Sequence, residues 1–457
     1  MEYNEFLKTK TIVTENSGFE IERDELNSNL FEFQKDIVKW ALIKGKAAIF
    51  ASCGLGKSLM QLEWANQVYK KTGKNVLILA PLAVTEQTYR EGLKFGIPST
   101  VVEDQKDIKP GINITNYEKL ERFIIKDFAG IVLDESSILK AFTGKIRTQL
   151  INTFKYTPYK LACTATPSPN DYMELGNHSE FLGIMTRPEM LAMYFVHDGG
   201  DTSKWRLKGH CKEIFWQWMS SWAVVVTNPK DLDYKVEGYD LPKLNIHEVI
   251  VDGDKPINEV MTLTERRNAR KESLTERCEA AAKLVNESDE IWLIWCNLND
   301  ESKMLHELID ESVEVKGSDK AIHKTKSSTE FAEGNIKALV SKPLIFGYGM
   351  NFQKCHNMIF VGLSDSYEQY YQAVRRCWRF GQQHEVNVYI VISAKEGCVK
   401  ENIDRKQENA EIMQKEMLKH TKEITKKNIK QTCRITTEYK AEMNMILPKW
   451  NEFKGGF

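Results

Sequence analysis

The segment ASCGLGKS (51–58) combines two glycines, a lysine and a serine in an order suited to gripping phosphate. Gly54 and Gly56 would let backbone N–H groups turn inward, Lys57 would reach the β- and γ-phosphates, and Ser58 would ligate Mg²⁺. The apolar run AAIF precedes it and SLMQLEWANQVY, with helical spacing, follows. The helix N-terminus would add its positive dipole end. Ala51 stands where the usual pattern has its first glycine, and a plain helix-capping turn is the bland alternative.

A second group is IVLDESS (131–137). An apolar strand would deliver Asp134 and Glu135 at its C-terminal edge, where ligands gather in open α/β sheets. Asp134 is suited to hold Mg²⁺ through water, and Glu135 to orient and deprotonate an attacking water. Alone, such acids read as an exposed strand end; after a phosphate loop they do not. Upstream, LFEFQKDIVKWAL (30–42) sets Gln34 on an amphipathic helix, with an amide able to meet both edges of adenine. LACTATPSPND (161–171) adds Thr164 and Thr166 before a Pro-initiated turn. Finally, QAVRRCWRFGQ (372–382) concentrates Arg375, Arg376 and Arg379 between Gln372 and Gln382. A solvated basic face would explain the charge equally well on this stretch alone.

These residues need strands and helices to hold them. Short β-like runs at 47–51, 75–80, 112–115, 130–135 and 160–165 alternate with helical patterns and predict a parallel α/β unit. Residues 181–239 carry little strand signal and crowd Trp205, Trp216, Trp218 and Trp222 together, which predicts a helical outgrowth with core aromatics. After DLPKLN (240–245), runs at 246–251, 291–296, 336–340, 357–363 and 386–392 predict a second α/β unit. From Lys395 on, a Lys-, Glu- and Gln-rich segment predicts an exposed helix.

The 457 residues, 42% hydrophobic and 28% charged, describe a multi-domain globular chain. No apolar run of about 18 residues predicts a membrane span, and MEYNEFLKTK lacks a signal-peptide layout, so a cytoplasmic location is expected. Nine cysteines without a CxxC pair predict free thiols rather than zinc. A net charge of -1 means that any polyanion must be met by a local patch.

Taken in order, Gln34, ASCGLGKS, LAPLAV (79–84), DESS, TATP, GYGMN (347–351) and QAVRRCWRFGQ resemble a superfamily 2 helicase, most closely the SWI/SNF-type DNA translocases, in a compact form like those of bacterial viruses. The family pattern Gln-Ala-x-x-Arg-x-x-Arg-x-Gly-Gln falls on Gln372, Ala373, Arg376, Arg379, Gly381 and Gln382. The resemblance covers about residues 30–393. It implies two RecA-like lobes (1–180 and 241–394) around a helical protrusion and hinge (181–240), with a charged tail (395–457). It further implies ATP and Mg²⁺ bound between the lobes. In that scheme Gln34, Gly54, Gly56, Lys57, Ser58 and Gln372 contact nucleotide, Ser58 and Asp134 hold metal, and Glu135, Arg376 and Arg379 act in hydrolysis. Arg375 has no fixed place in the pattern and reads as a surface base. DESS departs from the usual third and fourth residues, and the spacing from Ser341 to Asn351 puts a DNA contact by Ser341 in doubt. The implied function is ATP-driven translocation on duplex DNA. The alternatives are a strand-separating DNA or RNA helicase, a nucleic-acid-binding module without turnover, and a small-molecule phosphate-loop kinase.

Overall fold

The computed structural model describes residues 14–140, 144–168, 171–198, 201–252, 263–347 and 350–432. Helix α1 (Glu32–Lys44) leads into strand β1 (Lys46–Ala51), and helix α2 (Lys57–Thr72) leaves it. Next come β2 (Asn75–Ala80), β3 (Ser99–Val101), β4 (Ile112–Asn116), β5 (Phe128–Asp134) and β6 (Tyr159–Thr164). Helix α3 (Leu175–Leu182), the hairpin β7 (Phe195–Asp198) and β8 (Asp201–Leu207), helix α4 (Lys212–Ser220) and β9 (Ala223–Val226) follow. The second unit holds β10 (Leu244–Ile250), β11 (Trp292–Cys296), β12 (Ser312–Val315), β13 (Ala338–Ser341), β14 (Asn357–Val361), helix α5 (Tyr367–Val374) and β15 (Val386–Ile392). Helix α6 (Gly397–Thr432) closes the described chain.

The first lobe is a seven-stranded sheet in the order β3-β4-β2-β5-β6-β1-β9, and the second a six-stranded sheet in the order β10-β15-β14-β11-β13-β12. Every pairing in both is parallel. Parallel sheets are covered on both faces, so their inner strands must be apolar on both sides. NVLILA and FAGIVLD meet that need. Ala48 and Phe50 pack into one layer, while Ala47, Ile49 and Ala51 pack into the other. Leu293 and Ile294 divide in the same way between the two layers of the second lobe.

Segment 181–239 departs from the strand-poor reading. It contains β7, β8 and β9, and β9 extends the first sheet by pairing with β1, Ala48 lying opposite Ala223 and Ile49 opposite Val224. The AVVV run is four residues long and follows a helix rich in Trp, so its strand character depends on the free edge of β1. Trp216, Trp218 and Trp222 are buried in the first lobe's core, as expected of core aromatics.

The tail also differs from an exposed helix. Val399 and Ile403 of α6 are buried in the second lobe, Met417 and Ile429 in the first. Gln414 Nε2 donates to Ser52 Oγ at 3.1 Å, and Lys212 pairs with Glu416 at 2.8 Å. The helix therefore crosses from one lobe to the other. Its buried residues recur every four positions at each end, Val399 and Ile403 at one and Met417, Thr421, Thr425 and Ile429 at the other, a pattern hidden in sequence by the surrounding charge.

Candidate active site

β1 ends where the phosphate loop begins. Gly56, at φ +78°, caps α2 in the left-handed region that favours glycine. A Cβ there would stand 2.2 Å from Gln34 Nε2. That closeness reflects what Gln34 does: its Nε2 donates to Leu55 O at 2.9 Å, and its Oε1 accepts from Phe31 N–H at 2.8 Å. The amide expected to meet adenine is thus engaged with the chain's own backbone, and Gln34 steadies the loop. Lys57 Nζ donates to Ala51 O at 2.8 Å and Ser52 O at 3.4 Å, within the loop. Ser58 follows on the first turn of α2.

β5 delivers the acids. Asp134 is buried, and its Oδ1 accepts from Glu135 N–H at 3.1 Å. Glu135 sits at φ +52°, a strained backbone for a residue with a side chain. Burial raises both carboxyls, that of Glu135 to about 7, helped by Asp134 and Glu368 and opposed by the Lys57 ammonium and Arg376. Glu135 Oε2 is buried and has no hydrogen-bond partner.

The second lobe supplies the guanidinium groups. Arg376 donates to Gln372 O at 2.8 Å, Gln372 Oε1 at 2.9 Å and Met350 O at 3.1 Å. Arg379 Nη1 donates to Met350 O at 2.9 Å. Burial lowers both pKa values, Arg379 to about 10, where neighbouring Arg376 adds to the effect. Arg375 is not the surface base that its place outside the motif suggested. It is only 8% exposed, its Nη2 donates to Cys53 O at 2.8 Å, and its guanidinium lies over the rings of Tyr371 and Trp378 at 5.9 and 5.0 Å. A Cβ on Gly54 would stand 3.1 Å from Phe380 N, so phosphate loop and arginine segment touch directly. Beside them lies a cavity of about 450 Å³ bounded by Cys53, Thr166, Tyr371, Arg375 and Met413. Ser341, by contrast, is fully buried and donates to Val315 O at 3.0 Å. Tyr348 and Gly349 of GYGMN lie outside the described residues.

Residues 276–381 match the helicase conserved C-terminal domain family. Among solved structures, a fragment described as the HsdR subunit of a type I restriction enzyme from Vibrio vulnificus YJ016 aligns with a TM-score of 0.50 at 15% identity, over 81% of this chain and 64% of that one. The likeness is one of fold: two parallel-sheet α/β lobes, the second of which carries the helicase C-terminal match. The chain therefore spans less than two thirds of the restriction-enzyme fragment. The Sulfolobus solfataricus SWI2/SNF2 ATPase core in complex with dsDNA aligns over 90% of this chain and 98% of that one, at 19% identity and a TM-score of 0.42. No curated protein sequence matches the chain.

The two lobes leave the gap between them electrostatically unfinished in a way that fits ATP and Mg²⁺. Among the described residues, none of Arg375, Arg376 and Arg379 has a carboxylate partner; their partners are carbonyl and amide oxygens. Arg379 Nε and Gln372 Nε2 are buried without partners, as is Glu135 Oε2. Buried groups of this kind are costly unless something meets them. A polyphosphate would meet the donors, and a divalent cation beside Asp134 would meet the acids.

Proposed function

We propose that the chain is a nucleic-acid-dependent ATPase motor that hydrolyses ATP between its lobes and translocates along duplex DNA. The observation that carries the reading is the meeting of two half-sites: the loop 51–58 with Asp134 and Glu135 on one lobe, and Arg376 and Arg379 on the other, in contact through Cys53 and Gly54. Gly54, Gly56 and Lys57 would hold the phosphates, while Gln34 keeps the loop in shape. Ser58 and Asp134 would hold Mg²⁺, which when bound neutralises phosphate charge. Glu135, kept off the acid side of its range by burial, would take a proton from the attacking water. Arg376 and Arg379 would grip the transferred phosphoryl group, a task suited to a fixed, forked cation. Gln372 orients Arg376 through its Oε1.

Support for a duplex track comes from the motif order and the 181–240 segment that resemble the SWI/SNF-type translocases. Strand separation on DNA or RNA is the second reading, since the motor motifs are shared. The test is ATP turnover against matched duplex DNA, single-stranded DNA and RNA, each across a salt series. Duplex should stimulate at least as well as single strands and better than RNA. The stimulation should weaken with salt through counterion release. Stimulation by single strands or RNA with none by duplex would contradict translocation on duplex and favour the helicase.

A further inference from the structure

The turn that follows Glu135 reaches across the gap. Ser137 Oγ donates to Glu368 Oε1 at 2.6 Å, and Lys140 Nζ pairs with Glu368 Oε2. Glu368 lies near the start of α5 and is only 9% exposed. A carboxylate that far from water is stable only with good partners, and here both belong to the opposite lobe. The turn is itself fixed to the first lobe. Asn177 Nδ2 donates to Leu139 O at 2.8 Å and Lys140 O at 3.3 Å, and Ser136 Oγ meets His178 Nε2 at 3.1 Å. On the other side, Glu368, Gln372 and Arg376 follow one another at intervals of four, which places them in one row along the helix and its continuation. Glu368 thus ties down one end of the row that carries Arg376. Ser137 is also one of the two positions where DESS departs from the usual carboxylate motif, so the departure has a use.

We propose that Glu368 is a positioning residue which, with Ser137 and Lys140, forms an interlobe latch that sets the register between the carboxylate turn and the arginine helix. Opening the lobes would separate Glu368 from both donors, so the latch biases the chain toward the closed pose. This role rests on the reading of the gap as an ATP-hydrolysing site; the latch acts through Glu135 and Arg376 and not on substrate.

The test uses the full chain with Glu368→Gln, Lys140→Glu, Glu368→Lys and the swap Lys140→Glu with Glu368→Lys. Two readouts are needed: kcat and KM for ATP, and amide hydrogen exchange in peptides covering 136–140 and 367–376. Loss of register by an ångström or so should lower kcat about 10- to 100-fold in Glu368→Gln, with KM for ATP held within a few-fold. Exchange should quicken on both sides of the gap, although only one side is mutated. The swap should recover much of the lost kcat and the slow exchange, which repair of a merely misfolded helix would not do. Turnover in Glu368→Gln within about twofold of wild type would overturn the proposal. So would unchanged exchange at 136–140, or a swap no better than either single charge reversal. Exchange requires no turnover, so a wild-type chain without ATPase activity would refute the hydrolytic reading while the latch is still decided by exchange.

Discussion

The two lobes bring buried charge to one gap, but of opposite sign and with different support. On the first lobe, burial pushes Asp134 and Glu135 up, and Lys57, itself held by loop carbonyls, acts against the rise in both. On the second, burial pushes Arg376 and Arg379 down, and carbonyl oxygens of Gln372 and Met350 hold them in place. Lys57 offsets the first lobe's acids only in part, and among the described residues no carboxylate pairs with Arg376 or Arg379. Carbonyl and amide oxygens orient the arginines, and Glu135 Oε2 is left without a partner, which suits a ligand that carries negative phosphate toward one lobe and a cation toward the other. Under the proposed reading the difference divides the work: the first lobe would bind and activate, and the second would stabilise charge only when it is close.

A large break on the first lobe's side of this comparison is Glu135→Gln. It removes the proposed base of the acid side while leaving Lys57 and the loop intact. Turnover should fall about 10²- to 10⁴-fold with ATP affinity little changed, measured by single-turnover hydrolysis and equilibrium titration. Turnover within a few-fold of wild type would remove Glu135 from its role. Arg375→Ala comes next. The motif spacing alone predicts no effect, whereas the bond to Cys53 O and the stacking on Trp378 predict a loss of about tenfold in kcat/KM, because a contact between the lobes is gone. An unaltered kcat/KM would return Arg375 to the bland reading of a basic helix face.

A smaller effect sharpens the first lobe's side. His178 lies behind the carboxylate turn against Ser136, and burial lowers its pKa from 6.5 to about 4. The unfolded chain therefore takes up the proton first as pH falls. Stability contributed by the neutral ring is complete above 6.5 and drains away as pH falls from there toward 4, by about 1 kcal/mol at pH 5.5. His178→Gln should flatten that part of the stability–pH curve in urea melts. An unchanged curve would mean that His178 is not buried neutral.

Much of the site was legible because its parts are short and local. ASCGLGKS needs only a strand before it and a helix after it, and DE only the strand β5; both contexts show in the apolar runs. The arginine segment was legible as a pattern, but its surroundings were not. Arg375 is buried by Cys53, some three hundred residues earlier in the chain, and no spacing rule reports such a contact. Gln34 carried the right residue type, yet the loop's own carbonyl at Leu55 claims its amide. β9 was illegible for a related reason: AVVV becomes a strand only against β1. The stripe in α6 was only partly legible: Val399, Ile403, Met417 and Ile429 are apolar, but Thr421 and Thr425 complete it and the apolar Ile412 is exposed. Its destination, the other lobe, was not legible.

The claim that hydrolysis needs both lobes is tested most directly by measuring ATP affinity and turnover separately in Arg379→Ala. Arg379 belongs wholly to the second lobe, while the phosphate loop, Asp134 and Glu135 belong to the first. Affinity should stay within a few-fold of wild type while turnover falls about 10³- to 10⁵-fold. Turnover that survives the substitution, or affinity lost in step with it, would contradict a site assembled from two halves.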